Sequence, residues 1–362
     1  MALSLMFPNR FGVLKQLYMR VGSAADIVDN ASDLKALVAD FNAKNFVIDP
    51  EKLKLSLDRA QTEADHVERE GIHCISMADP SYPTRLREVC PDAPLVLYLY
   101  GNANLNAKHI LSIVGTRNST GYGHDMIDNI CGELAKYYSD LLIVSGLAYG
   151  TDINAHRAAL DNSLPTVGVL AHGLDRLYPA SHRTVAQRMV QHGGLLTEFV
   201  TGTKIETYNF LRRNRIIAGM AEATLVIESK DKGGALATAR MASDYSLSVM
   251  ACPGRATDET SAGCNKLIKN NMAAMLTSAA DVVDFLGWTT DTKPEPLPSL
   301  FDIDLNGEEK TVYDVLDPNG KDINYIVMHC GLPIPTVMSV LSELEFRGLV
   351  RQLPGSKWRC LN

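Results

Sequence analysis

The chain has 362 residues, enough for two or three domains at the usual ~100–200 residues each. Apolar residues make up 46% and charged residues 21%, an ordinary globular balance that excludes a disordered tail protein. The net charge of −7, from 35 basic and 42 acidic side chains, excludes a surface that is basic all over. A polyanion would have to be held in a local groove. No run approaches ~18 consecutive apolar residues, and the first residues lack a basic leader, so a cytoplasmic protein with no membrane contact is expected. Seven cysteines, an odd number with no C-x-x-C pair, predict reduced thiols rather than a disulfide framework or a metal knuckle.

In chain order, residues 1–50 read as short helices: an apolar-periodic stretch at 11–19, a break at Gly22-Ser23 and a second amphipathic stretch at 32–41. Residues 51–104 offer a helix (54–70), a strand (72–76), a proline-rich turn and a strand (95–100), read as an adaptor into the core. Residues 105–287 alternate strand and helix. Strands are predicted at 110–114, 141–144, 166–170, 195–197, 223–227, 248–251 and 274–276, with helical segments between them. Short Val, Ile and Leu runs without polar alternation are the mark of parallel strands covered on both faces. Strands alternating with helices predict an α/β fold, a doubly wound Rossmann-like sheet. Residues 289–299, rich in proline, read as a linker. The last residues, 305–362, read as a winged helix, with helices at 308–316, 323–330 and 334–347 and a β-hairpin wing. The presumed recognition helix, 334–347, carries Glu343 and Glu345 and only Arg347, so duplex binding is not expected there. The wing holds Arg351, Lys357 and Arg359 with Trp358 among them.

The sheet lacks the usual cofactor codes. The G-x-G-x-x-G pattern fails at Met126, and there is no P-loop or nucleophile elbow. Instead three strand ends carry Gly- and hydroxyl-rich loops: Gly115-Thr116-Arg117 after the first, Ser145-Gly146 opening the second, and Gly233-Gly234-Ala235 within the third. In a doubly wound sheet these loops meet at the carboxyl edge, where ligands bind. Backbone N–H groups and helix N-termini there favour an anion such as phosphate. A fourth element, Phe210 followed by Leu211 and then Arg212-Arg213-Asn214-Arg215, crowds three guanidiniums onto a half-buried helix start. From Arg176 to Arg215 seven basic residues face only Glu198 and Glu206. Arginines in such a place call for an anionic partner. Ser145, Asp152 and His156 can be drawn as a triad, but nothing orients the hydroxyl, and His156 reads better as a supporting residue. No carboxylate pair or His cluster has metal-ligand spacing. Tyr122, Tyr149, Tyr178, Tyr208 and Phe210 read first as core or rim, with base stacking as the alternative.

The runs Gly115-Thr116-Arg117, Ser145-Gly146-Leu147-Ala148 with Gly150, Asp152 and His156, Gly173 with Asp175 and Tyr178-Pro179, and Arg213-Asn214-Arg215-Ile216-Ile217-Ala218-Gly219 resemble, in order and spacing, the DprA/Smf family (DNA-processing protein A). So do Gly234-Ala235-Leu236 and Pro253-Gly254. The resemblance covers nearly the whole chain. It implies an N-terminal sterile-alpha-motif or helix–hairpin–helix-like domain and a non-enzymatic single-stranded DNA-binding protein of natural transformation. Such a protein shields incoming DNA, loads the RecA recombinase and forms a homodimer, with no cofactor. Contacts to DNA are then expected from the three loops, from Phe210, Arg212, Arg213, Asn214 and Arg215, and from Arg183. The last stands in for a lysine that relatives often carry where this chain has Ala180. Dimer contacts are expected at Leu267 and Ile268, exposed on a short helix at the sheet edge. The rival readings are a nucleotide-binding enzyme of the phosphoribohydrolase type and a protein-interaction scaffold. The first needs a glutamate after the Gly-rich turn, where this chain has Ala239-Arg240.

Overall fold

Runs of Val, Ile and Leu too short for helices become strands in the computed structural model, which describes residues 1–29, 48–289, 305–317, 320–347, 349–353 and 356–360. The stretch 32–41, the proline-rich linker beyond residue 289 and the tip of the wing lie outside the described residues.

Residues 1–290 make one unit. Its strands are β1 (His73–Ser76), β2 (Val96–Gly101), β3 (Ile110–Val114), β4 (Leu142–Ser145), β5 (Thr166–Val169), β6 (Gly193–Thr197), β7 (Ala223–Val226), β8 (Ser248–Ala251) and β9 (Ala274–Met275). They form one sheet in the order β1-β2-β6-β5-β4-β3-β7-β8-β9. From β6 to β9 every neighbour is parallel, joined through helices, as the sequence predicts. The stretch expected as an adaptor does more than lead in, because its two strands extend the same sheet antiparallel beyond β6. Strand order reverses between β3 and β7, so the loops after these strands diverge and open a crevice at the carboxyl edge.

Both faces of the sheet are covered. On one side Leu86, Ile216, Ile217 and Ala239 pack with Leu14 and Leu17 of the N-terminal helix Phe11–Val21; on the other, Ile127, Ile130 and Leu134 pack with Ala155 and Ala159. Each fully buried Leu or Ile contributes about 1.5–3 kcal/mol. Leu267 belongs to the first cluster and is 6% exposed, while Ile268 is half-buried against it. The expectation that both stand exposed on the helix Ala262–Lys269 is therefore corrected: burial of this amphipathic helix on the sheet consumes Leu267.

The three crowded arginines do not share a groove. They lie on the helix Thr207–Met220, and Arg212 and Arg215 both turn to Glu198, a carboxylate 1% exposed after β6. Arg212 Nη2 donates to Glu198 Oε2 at 2.7 Å, Arg215 Nη2 at 2.6 Å, and Arg215 Nε pairs with Asp92 at 3.3 Å. Burial opposes the charge of Arg215, but Glu198 and Asp92 outweigh it and hold the guanidinium above its ordinary pKa. Phe11 closes the assembly, its ring centre 4.1 Å from the Arg212 guanidinium carbon and 5.2 Å from that of Arg215. Arg212 also donates to the Pro8 carbonyl at 3.2 Å. The anionic partner that buried arginines call for is thus internal, and it fastens the N-terminal helices to the core.

The C-terminal unit is a winged helix with its own core of Val312, Ile326, Val337, Leu341, Leu344 and Trp358. Its helices Gly307–Tyr313, Ile323–Cys330 and Ile334–Phe346 carry a three-stranded sheet in which Lys321–Asp322 pairs with Lys357–Cys360, and that with Val350–Leu353. Trp358, expected among the wing cations, is 3% exposed and packs inward. No single helix among the described residues is long and apolar enough to cross a membrane.

Glu198→Gln leaves two buried guanidiniums without their carboxylate, and unfolding by denaturant should show a loss of about 3–5 kcal/mol. A stability within about 1 kcal/mol of the parent, the worth of an exposed pair, would remove Glu198 from this role.

Candidate nucleic-acid interface

The crevice between β3 and β7 holds a cavity of about 700 Å³. Its floor is built by three loops held against one another through backbone. Thr116 N–H donates to the Glu228 carbonyl at 2.8 Å, and Thr116 O accepts from Thr151 N–H at 3.1 Å. A Cβ on Gly115 would collide with Thr151, and one on Gly150 would strike the Thr116 and Arg117 backbone. Gly150 also has φ +72°, which suits glycine.

Glu228, directly after β7, is a residue sequence reasoning missed. It is 1% exposed, and its carboxylate accepts from the Ser119 hydroxyl (2.9 Å), the Thr120 N–H (2.8 Å) and the Thr120 hydroxyl (2.7 Å). It clamps the first loop to the third strand end. A carboxylate ending an otherwise apolar strand run is the one signal that could have marked it.

Arg213 forms the back wall. It is 4% exposed, with Nη1 donating to the carbonyls of Gly146, at 2.7 Å, and Val169, and Nε donating to Asn214 Oδ1 at 3.2 Å. Burial pulls its pKa down to about 10, aided by the like charge of Arg117 and opposed by Asp152, so it stays a cation at neutral pH. Asp152 opens the helix Thr151–Asp161; burial raises its pKa, while Arg213 and the Ala148 N–H, at 3.3 Å, resist the rise.

Nine predicted site residues meet in this cavity: Gly115, Thr116, Arg117, Phe210, Arg213, Asn214, Gly233, Gly234 and Ala235. Arg117 is exposed, and its guanidinium carbon lies 5.8 Å from the Phe210 ring centre. The helices Thr151–Asp161 and Ala235–Asp244 both begin at the cavity wall, each N-terminus bringing about half a positive charge. Lys230 and Lys232 line the same cavity, with Lys230 paired to Glu259 at 3.0 Å.

The other predicted residues stand elsewhere. Arg212 and Arg215 belong to the Glu198 assembly, and Arg183 is exposed at the start of the helix Arg183–Gln191, outside the cavity. Gly146 lies behind the wall, where a Cβ would collide with the Arg213 guanidinium. Ser145 is fully buried, its hydroxyl donating to the Ile113 carbonyl at 2.6 Å. His156 Nδ1 donates to Thr166 Oγ1 at 2.7 Å, since that hydroxyl gives its own proton to the Ile143 carbonyl. Burial, with Arg213 and His182 adding to it, pushes the His156 pKa down to about 3, so the imidazole stays neutral. The drawn triad is thus not assembled: His156 is turned to Thr166, and the Ser145 hydroxyl bonds the Ile113 carbonyl and the Asp152 side chain rather than the imidazole.

The arrangement can hold phosphate groups by backbone N–H groups, helix N-termini and cations, with an aromatic face beside them. The profile of the family described as DNA recombination-mediator protein A matches residues 73–287, and that of the DprA winged helix domain residues 292–356. The putative DNA processing protein DprA of Mycobacterium tuberculosis is 37% identical over 320 residues, covering 84% of this chain and 81% of its own. Protein Smf of Escherichia coli is 31% identical over 308 residues, covering 83% and 81%. The X-ray structure of DNA processing protein A from Streptococcus pneumoniae superposes with TM-score 0.62 at 30% identity, over 76% of this chain and 94% of that one. DNA processing protein A from Helicobacter pylori, solved for its single-stranded DNA binding mode, superposes with TM-score 0.53 at 26% identity, over 59% and 95%. With the family profile spanning the sheet and its cavity, and full-length relatives matching more than four-fifths of the chain, the protein belongs to the DprA/Smf family, the DNA recombination-mediator A proteins.

Proposed function

We propose that the protein binds single-stranded DNA in the carboxyl-edge cavity and passes it, without catalysis, to a RecA-type recombinase during natural transformation in the cytoplasm. The observation that carries this reading is the pairing of exposed Arg117 with the Phe210 ring over a cavity fed by two helix N-termini. Phosphates suit the cations and N–H groups, and an unpaired base suits the ring, a face that the stacked bases of a duplex do not seek. The single-stranded DNA binding mode of the Helicobacter pylori relative supports the same ligand. Binding rather than turnover is supported by the engagement of Ser145 and His156 with strand partners.

A homodimer fits the free edge of the sheet. Beside β9, Met275 is 55% and Met272 39% exposed, an apolar margin next to half-buried Ile268 that a second copy would cover. Met275→Asp should give a monomer by light scattering; a dimer unchanged by it would place the interface elsewhere.

Arg117→Ala should weaken oligonucleotide binding by roughly 1–3 kcal/mol, the worth of a charged hydrogen bond, with the melting temperature unchanged. With Arg212 and Arg215 engaged by Glu198, the cavity offers Arg117, Lys230 and Lys232 to phosphates. The slope of log affinity against log salt should then be roughly −1.5 to −2, at ~0.7 per phosphate. Equal affinity in the Arg117 variant would remove Arg117 from the site, and competition by free nucleotide as effective as by the strand would point to the phosphoribohydrolase-type alternative.

A chain ended at Thr290 should keep its single-strand affinity, because the winged helix lays out an apolar second helix and only a few wing cations, short of the ~6–10 phosphate contacts of strong duplex binders. A loss beyond about tenfold (~1.4 kcal/mol) would show that the C-terminal unit holds DNA. RecA assembly on the strand should be faster with the full-length protein, and equal rates would remove the hand-over.

A further inference from the structure

We infer that Tyr178 and Tyr149 form a base-stacking track leading out of the cavity, each taking a nucleobase of the strand whose phosphates the cavity holds; this rests on the single-strand reading above and deepens it. Tyr82 is fully buried with its hydroxyl donating to the Pro94 carbonyl at 2.7 Å, Tyr98 is 3% exposed, and exposed Tyr122 spends its hydroxyl on the Pro253 carbonyl at 2.7 Å. Tyr178 and Tyr149 are 44% and 48% exposed.

Both rings are nevertheless braced. Tyr178 meets Phe210 edge to face, centres 6.1 Å apart at 66°. Tyr149 rests on His182 at 4.9 Å and 74°, and its hydroxyl accepts from Ser181 Oγ at 3.3 Å. His182 is fixed in turn, its Nδ1 donating to the Leu147 carbonyl at 2.9 Å. A ring held in place while a face stays open loses little freedom on binding. Tyr208, 59% exposed, has no ring contact among the described residues and is left out of the track.

The track is continuous with the cavity. Arg117 lies over Phe210 and Phe210 against Tyr178, while Tyr149 sits between Ala148, which lines the cavity, and Gly150, packed on the Arg117 backbone. Arg183, next in sequence to His182, is exposed. Open rings continuous with a cavity that holds cations fit a polyanion with flat, unpaired bases better than an apolar peptide, and they tolerate any sequence because every base has a π-face.

The test uses the full-length protein and fluorescence anisotropy with two strands of about 12 nucleotides, one oligothymidylate and one abasic throughout, so that both carry the same phosphates. The Tyr149→Ala, Tyr178→Ala double variant should lose about tenfold for oligothymidylate, a modest share of two base stacks, and nothing for the abasic strand. Tyr149→Phe and Tyr178→Phe should bind as the parent does. The track is overturned if the double variant binds oligothymidylate unchanged, if it loses equally for both strands, which means a deformed cavity, or if the parent does not distinguish the strands. A parent that binds neither strand overturns the single-strand reading itself.

Discussion

One guanidinium holds the working edge of the sheet together. Arg213 reaches from the helix Thr207–Met220 to the carbonyls of Gly146 and Val169, joining that helix to the ends of two neighbouring parallel strands. Parallel strands end with carbonyls directed at the carboxyl edge, and a buried carbonyl without a donor costs about 1–3 kcal/mol. Arg213 satisfies two of them and leaves its charge at the back of the cavity. The geometry admits it only because position 146 has no side chain. The same helix supplies Phe210 and Asn214 to the cavity, so the wall, the aromatic face and the buried cation belong to one element.

The parallel core was legible because its strands are unbroken apolar runs and its breaks are glycines, a pattern few other architectures produce. The cavity was legible for the same reason: Gly115, Gly150 and Gly234 stand at strand ends, and strand ends in a doubly wound sheet lie on one edge. What periodicity could not reveal was direction. Arg212, Arg213 and Arg215 are near neighbours in sequence, yet at about 100° per residue Arg212 and Arg215 fall within about 60° of each other and Arg213 points away, so one faces the cavity and two face Glu198. The partner that decides this lies 14 and 17 residues away in sequence, at the end of a different strand. The exposure expected of Leu267 failed for a related reason: an amphipathic helix announces an apolar stripe but not what covers it. Glu228 went unassigned because its ligands, Ser119 and Thr120, lie more than a hundred positions upstream.

The two units divide their labour in composition as well as in fold. The large unit concentrates glycine, hydroxyls and cations at one edge. The winged helix places Arg347 on Glu309 at 3.1 Å and Lys321 on Asp317 at 2.8 Å, neutralising these two cations locally. It leaves apolar side chains outward instead, with Met328 79% and Phe346 92% exposed.

The lid that Phe11 forms over Arg212 and Arg215 has a consequence for anyone who dissects the chain. Those two cations share one buried carboxylate, Glu198, with half-exposed Asp92 as the second anion, and an aromatic face from the N-terminal helices excludes water from them. A fragment shortened past Phe11 would bare a pair of strongly directional donors to solvent, on the same helix as the true cavity. Such a fragment would keep the Glu198 pairs but lose the ring that shields them and the Pro8 carbonyl that Arg212 bonds, and deletion mapping would charge the core with an instability that belongs to the cut.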